Sequence, residues 1–250
     1  MKRISILFAV SLWTVVESAH AILLPGAGPM PLTNANFDID STGFHWRNPV
    51  SPAIAGALFN DSRSLSAPNL LGLANTSTPQ GRRQIIAWDH SREQIGDETA
   101  LLNTWWQYEP NFVYGFGIHA FSSSDATFML QFLAYPTKDA AASFPATVVT
   151  QQVFSAPSPT DSSGGAVLAP DGITYYRPFE MVLASSNFPS FVGQYMAVQI
   201  LTTMSGDTGH ITGFPNMDNA FAWYVPEPSA MVLLGLGGVL LLRRKSHDGW

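Results

Sequence analysis

Four consecutive residues, Trp88-Asp89-His90-Ser91, contain the acid, base and nucleophile types of a serine hydrolase. Their spacing defeats the relay. Consecutive residues of an extended segment project alternately to opposite faces, so the three groups do not line up in hydrogen-bond sequence. The chain holds no Gly-x-Ser-x-Gly elbow, and a polar cap at a strand end accounts for the cluster better. Glu93, Asp97 and Glu98 offer carboxylates for glycoside hydrolysis, which needs two held about 5–5.5 Å apart for retention or about 6.5–9.5 Å for inversion. Closeness in sequence does not supply that geometry, and a solvated acidic loop is the simpler account. Glu109 and Glu180 have nothing to single them out. His45, His90, His119 and His210 are scattered, without His-Glu-x-x-His spacing. The absence of cysteine excludes thiolate nucleophiles, thiolate zinc sites and disulfides. The expectation is a protein with no catalytic residues and no cofactor.

Binding chemistry is better represented. Aromatic residues make up 12 % of the chain and include seven tryptophans. Trp105 and Trp106 are adjacent, so on a strand one faces inward and the other outward. An outward indole beside Tyr108 offers a flat apolar face to a sugar ring; packing inside the fold is the alternative. Asp38-Ile39-Asp40-Ser41-Thr42-Gly43 begins like a calcium loop, but Pro49 occupies the place of the closing bidentate glutamate, which rules out an EF-hand.

The elements that must position these residues read as strands. Phe112–Ile118 alternates Phe112, Tyr114, Phe116 and Ile118 with Gly115 and Gly117, and glycine inside a strand marks a bulge or a close backbone approach. Ala126–Tyr135, Ala146–Phe154, Thr174–Ala184, Gln194–Thr203 and Met217–Val225 also follow a period of two, and Gln84–Trp88 and Leu101–Tyr108 add two earlier segments. Pro178 pushes its strand to an edge or a bulge. Turn clusters such as Ser122-Ser123-Ser124-Asp125 and Ser158–Gly165 separate the runs. Many short strands with such turns predict an all-β domain, a sandwich or barrel, over residues 22–224. Residues 48–82 are rich in Pro, Asn and Ser and carry no clear period.

Charged residues are only 12 % of the chain, about half the usual share. The formal charge is −6; losing the first 21 residues, with Lys2, Arg3 and Glu17, makes it −7, and losing the tail from Ser229 makes it −9. Phosphate-backbone binding needs Lys and Arg, so nucleic acid is discounted as a partner.

Both ends carry transport chemistry. Met1-Lys2-Arg3 is a cationic start, Ile4–Val16 is apolar, and Ala19-His20-Ala21 places Ala19 and Ala21 where signal peptidase reads; residues 1–21 are a signal peptide. At the other end, Val225-Pro226-Glu227-Pro228 precedes the uncharged run 230–242 and then Arg243-Arg244-Lys245. Thirteen helical residues rise roughly 20 Å against a hydrocarbon core of about 30 Å. The run is a marginal transmembrane helix with its basic cluster on the cytoplasmic side.

This order of parts resembles the PEP-CTERM sorting signal of exported bacterial proteins, over residues 225–250. The resemblance implies recognition by an exosortase, a membrane transpeptidase, transient residence in the inner membrane, and delivery to the cell surface or extracellular matrix. Leu32-Thr33-Asn34-Ala35-Asn36-Phe37-Asp38 and Met217-Asp218-Asn219-Ala220-Phe221 are similar to the first and last strands of galactose-binding-like jelly-roll sandwiches found among carbohydrate-binding modules. That similarity implies a jelly-roll sandwich and a structural calcium ion held by Asp38 and Asp218. Three roles stay open for the sandwich: a structural or adhesive matrix component, a polysaccharide-binding module using Trp105 or Trp106, or a glycan-active hydrolase or lyase.

Overall fold

The computed structural model describes residues 27–32, 35, 37, 46, 57–60, 62–66, 69–72, 81–87, 106–123, 126–137, 146–202 and 215–227. Eleven strands run in order through them: β1 (Gly28–Pro29), β2 (Ala57–Asn60), β3 (Asn69–Gly72), β4 (Gly81–Ile85), β5 (Phe112–Ser122), β6 (Ala126–Tyr135), β7 (Thr147–Ala156), β8 (Val167–Leu168), β9 (Tyr175–Ala184), β10 (Tyr195–Thr202) and β11 (Pro215–Pro226). Short 3-10 turns at Ser185–Asn187 and Pro189–Phe191 link β9 to β10.

Two antiparallel sheets face each other in a jelly-roll-type sandwich. The larger has the order β2-β3-β11-β5-β9-β8, with β1 pairing β11 beyond the end of β3; the smaller has the order β4-β10-β6-β7. The alternation read from the sequence decides which side of each strand is buried. Tyr114, Phe116 and Ile118 of β5 point inward with Phe128, Leu130 and Phe132 of β6 and Met196, Val198 and Ile200 of β10, all buried in one core. Burying side chains of this size contributes about 1.5–3 kcal/mol each. Phe37 and Trp46 join the same core, their rings 5.3 Å apart. Phe154 of β7 stacks on Phe128 at 5.6 Å and meets Phe179 of β9 at 5.3 Å, joining the two sheets at one corner.

Several strands match the sequence expectation closely, and four regions differ. β11 reaches Pro226, so the boundary expected at residue 225 falls inside a strand and the first two residues of the C-terminal motif belong to the sandwich. The strand expected at Gln84–Trp88 is β4, Gly81–Ile85. From the segment Leu101–Tyr108, only Trp106 to Tyr108 are described, and they form an irregular edge with a single bridge, Gln107 to Tyr195. Residues 48–82 supply β2, β3 and the start of β4. The signal peptide with Ala19 and Ala21, Asp38, Trp105, Pro228, the apolar run and Arg243-Arg244-Lys245 lie outside the described residues. Among the described residues no helix is long and apolar enough to cross a membrane.

Candidate functional site

On the outer face of the larger sheet, Gly115 and Gly117 of β5 stand opposite Trp223 and Phe221 of β11. A methyl group on Gly115 would collide with Cε2, Nε1 and Cζ2 of Trp223, and one on Gly117 with the Phe221 ring. The missing side chains therefore let two aromatic rings settle over the β5 backbone, the close approach expected from glycine within a strand. On the other side of β5, Glu180 pairs with Gly117 and Val182 with Gly115. The Trp223 Nε1–H donates to Glu180 Oε1, which ties the indole to the strand on the far side of β5. Trp223 and Phe221 are half-buried, Glu180 is exposed, and Val182 is 53 % exposed. The result is an accessible apolar ring beside a carboxylate acceptor.

The outer face of the smaller sheet carries a different device. Arg83, Gln199, Gln131 and Gln151 occupy one register row across β4, β10, β6 and β7. Arg83 Nε donates to Gln199 Oε1 at 2.7 Å, Gln199 Nε2 to Gln131 Oε1 at 2.6 Å, and Gln131 Nε2 to Gln151 Oε1 at 2.8 Å. Arg83 also donates to the Tyr135 hydroxyl at 2.8 Å. Arg83, Gln199 and Gln131 are buried, while Gln151 is exposed. The row runs between apolar rows that include Ile85, Ala197 and Leu133. Arg82 lies on the opposite, inner face beside Ile200, where burial lowers its pKa to about 10.

Asp218 is buried on β11, next to a bulge at which the register with β5 shifts between Asp218 and Phe221. Asn219 in that bulge has φ +47°, a conformation asparagine tolerates better than most residues. The Asp218 carboxylate accepts from Ser64 Oγ and Leu65 N at 2.8 Å, Ser66 N and Ser66 Oγ at 3.1 Å, and Asn219 N at 2.7 Å. Burial pushes the Asp218 carboxyl above its ordinary value, and these donors pull it partly back. The neighbouring His119 donates from Nδ1 to the Asn219 carbonyl at 3.2 Å. Burial lowers its pKa, against the upward pull of that hydrogen bond and of Asp218.

Trp106 and Tyr108, expected as ligand-binding candidates, are core residues at 7 % and 2 % exposure. Trp106 N donates to the Ile86 carbonyl, and its ring meets Tyr224 edge-on at 4.7 Å. Tyr108 donates its hydroxyl to the Leu133 carbonyl at 3.1 Å and meets Tyr114 edge-on at 5.6 Å. Neither offers a face to a sugar. Among the described residues Trp223 is an outward-facing ring, and its signal was present in the sequence as the two glycines of β5. Glu109 is exposed at the turn before β5, and its backbone N–H donates to the Tyr114 hydroxyl at 2.8 Å. Among the described residues no three His, Asp or Glu side chains come together as a metal site. Asp89, His90, Ser91, Glu93, Asp97, Glu98, His45 and His210 lie outside the described residues.

The last strand leads directly into the sorting motif. Val225 pairs with Val113, and Pro226 with Phe112. Glu227 N donates to the Asn111 carbonyl at 2.8 Å. Glu227 Oε1 accepts from Ser186 N at 2.8 Å and from Ser185 Oγ at 3.4 Å, and the residue is 6 % exposed.

Residues 225–245 match the PEP-CTERM protein-sorting motif. No curated protein matches the chain. Among solved structures, the chain is similar to a cyclase from Fischerella sp. TAU, at 10 % identity and a TM-score of 0.50, over 81 % of this chain and 99 % of that one. The CBM22-1 xylan-binding domain of Paenibacillus barcinonensis aligns at 8 % identity and a TM-score of 0.43, over 80 % and 97 % of the two chains. The N-terminal cellulose-binding domain of Cellulomonas fimi β-1,4-glucanase C aligns at 12 % identity and a TM-score of 0.33, over 67 % and 82 %. At these identities the likeness speaks for the fold alone. The chain thus joins a jelly-roll-type β-sandwich directly to a C-terminal PEP-CTERM protein-sorting motif, the mark of an exported and sorted protein.

Proposed function

We propose that this is an exported, exosortase-sorted cell-surface protein whose sandwich holds polysaccharide without catalysing a reaction. The observation that carries the binding role is the Trp223 indole seated over Gly115, with Glu180 beside it. An aromatic face stacks on the apolar side of a sugar ring, and a carboxylate accepts from its hydroxyl groups. The motif supplies the location: signal peptidase removes the leader, the apolar run holds the precursor in the inner membrane, and exosortase processing releases the sandwich to the surface or matrix. Pulse-chase labelling in the host should show a precursor converting to a smaller product, and conversion unaffected by replacing Pro226-Glu227-Pro228 would sink the sorting part. Glycan-array binding should be lost in Trp223→Ala and weakened in Glu180→Gln; binding equal to wild type in both would sink the polysaccharide part.

A structural or adhesive role is the second reading, favoured by the long uncharged strand β7 at the rim of the smaller sheet.

A further inference from the structure

Among the described residues β7 is the terminal strand of the smaller sheet, pairing β6 on one side. A terminal strand presents a row of backbone N–H and C=O groups able to template another strand, and proteins usually guard such a row with charge, proline, bulges or shortness. β7 has the sequence Thr-Val-Val-Thr-Gln-Gln-Val-Phe-Ser-Ala, ten residues without charge, proline or glycine. Its one guard is a bulge, where the register with β6 shifts between Phe132 and Leu133, opposite Thr150 and Val148. Beyond the bulge, Thr150 to Ala156 pair regularly with β6. These seven residues carry no charge and no proline, and Thr150, Val153 and Phe154 are of types enriched in strands, so the composition leaves the edge open to another strand.

The centre of that regular stretch is Val153, which is 54 % exposed. A two-fold axis through Val153 sets Val153 opposite its own copy, Gln152 opposite Phe154, and Gln151 opposite Ser155. No pair carries like charges, and both bulges fall outside the paired stretch. The side-chain row from Arg83 ends on the exposed Gln151, so this register brings the row's open end against a partner hydroxyl. Phe154 is anchored inward by Phe128 and Phe179, which holds the strand in place while its outer edge stays accessible.

We propose that β7 is a self-association edge: two copies of this chain pair antiparallel through Thr150 to Ala156 about Val153, fusing two four-stranded sheets into one of eight. Antiparallel pairing of one strand with itself closes as an isologous dimer. The proposal is independent of whether Trp223 takes a glycan.

The test uses the protein recovered from its host. Sedimentation should show a dimer that dissociates on dilution, and Val153→Lys should be monomeric at the same concentrations, because two lysines then face each other directly across the pair. Val153 is exposed, so the variant should keep the wild-type Tm within a few degrees. As a second measurement, Val153→Cys, in a chain with no other cysteine, should form a disulfide-linked dimer at least tenfold faster than Ile173→Cys, a control that is more accessible, at 72 % exposure against 54 %. A wild-type protein that stays monomeric, a Val153→Lys protein that still dimerises, or equal crosslinking of the two cysteine variants would overturn the proposal.

Discussion

Glu227 Oε1 lies 2.8 Å from the backbone nitrogen of Ser186, so the central residue of the Pro-Glu-Pro motif is held by the folded body. Ser185 Oγ joins this arrangement, accepting from Phe112 N at 3.1 Å and donating to Glu227. An enzyme that reads the motif must first draw this strand end away, an opening whose cost sets how often the motif is available. Hydrogen bonds to a charged group contribute about 1.5–3 kcal/mol. Ser185→Ala should therefore raise amide exchange at Glu227 about tenfold and speed precursor conversion in a pulse-chase. Unchanged exchange at Glu227 would show that Ser185 does not hold the motif.

The glycines of β5 predict a directional packing effect. Gly115→Ala and Gly117→Ala place a methyl group where the Trp223 and Phe221 rings lie. Each should destabilise the domain by about 1–3 kcal/mol, as overpacking does, and Gly115→Ala should weaken glycan binding as the indole is displaced. Urea denaturation checks the first expectation and a glycan array the second. Neither effect is expected for Gly172→Ala by collision, since nothing lies near that position; its φ of +75° gives it a backbone penalty instead.

Asp218 clamps the Ser64-Leu65-Ser66 loop to the last strand. Asp218→Ala removes the shared acceptor that draws the Leu65 and Ser66 N–H groups and the Ser64 and Ser66 hydroxyls to β11, and should cost about 3 kcal/mol. The donors already fill the carboxylate's acceptor directions, so calcium added after chelation should leave the Tm unchanged. A rise in Tm that disappears in Asp218→Asn would instead support the calcium role expected from Asp38 and Asp218.

His119 predicts a pH dependence. Its folded pKa lies below the ordinary 6.5, so the unfolded chain binds the proton more readily and stability falls with falling pH. The contribution is fully present above 6.5 and is lost as pH drops below 6.5 toward the folded value. Asp218, with its raised pKa, acts in the opposite sense at lower pH. His119→Gln should therefore lose less stability than wild type between pH 7.5 and about 5.5, measured as Tm. Parallel pH curves for the two proteins would exclude His119 as the source.

Strands built on one-sided alternation were legible in the sequence, because a half-buried strand writes its core face at every second position. Phe112–Ile118 and Ala126–Tyr135 are such cases. β4 was legible only at its end, in the strand expected at Gln84–Trp88; Gly81-Arg82-Arg83 is polar on both faces, and only neighbouring strands explain the burial of Arg82, Arg83 and Gln84. The same limit governed the site. Trp105-Trp106 attracted a binding role by composition, but Trp106 is covered through its contact with Tyr224, a residue more than a hundred positions away. Trp223 lies half-exposed over β5, another distant partner. The sorting motif was readable because its information lies in contiguous residues; its burial at Glu227 was not, because Ser185 and Ser186 come from a different turn.

β11 lies inside the larger sheet, between β5 on one side and β1 and β3 on the other, and pairs Tyr224 with Gly28. It is also the last of the described strands in chain order. A chain exported N-terminus first therefore waits for its final strand before the sheet can close, and contacts spanning such sequence separations make folding slow. Among the described strands β11 is thus the keystone of the larger sheet: until it is in place, β1, β2 and β3 have no ladder to β5, β9 and β8.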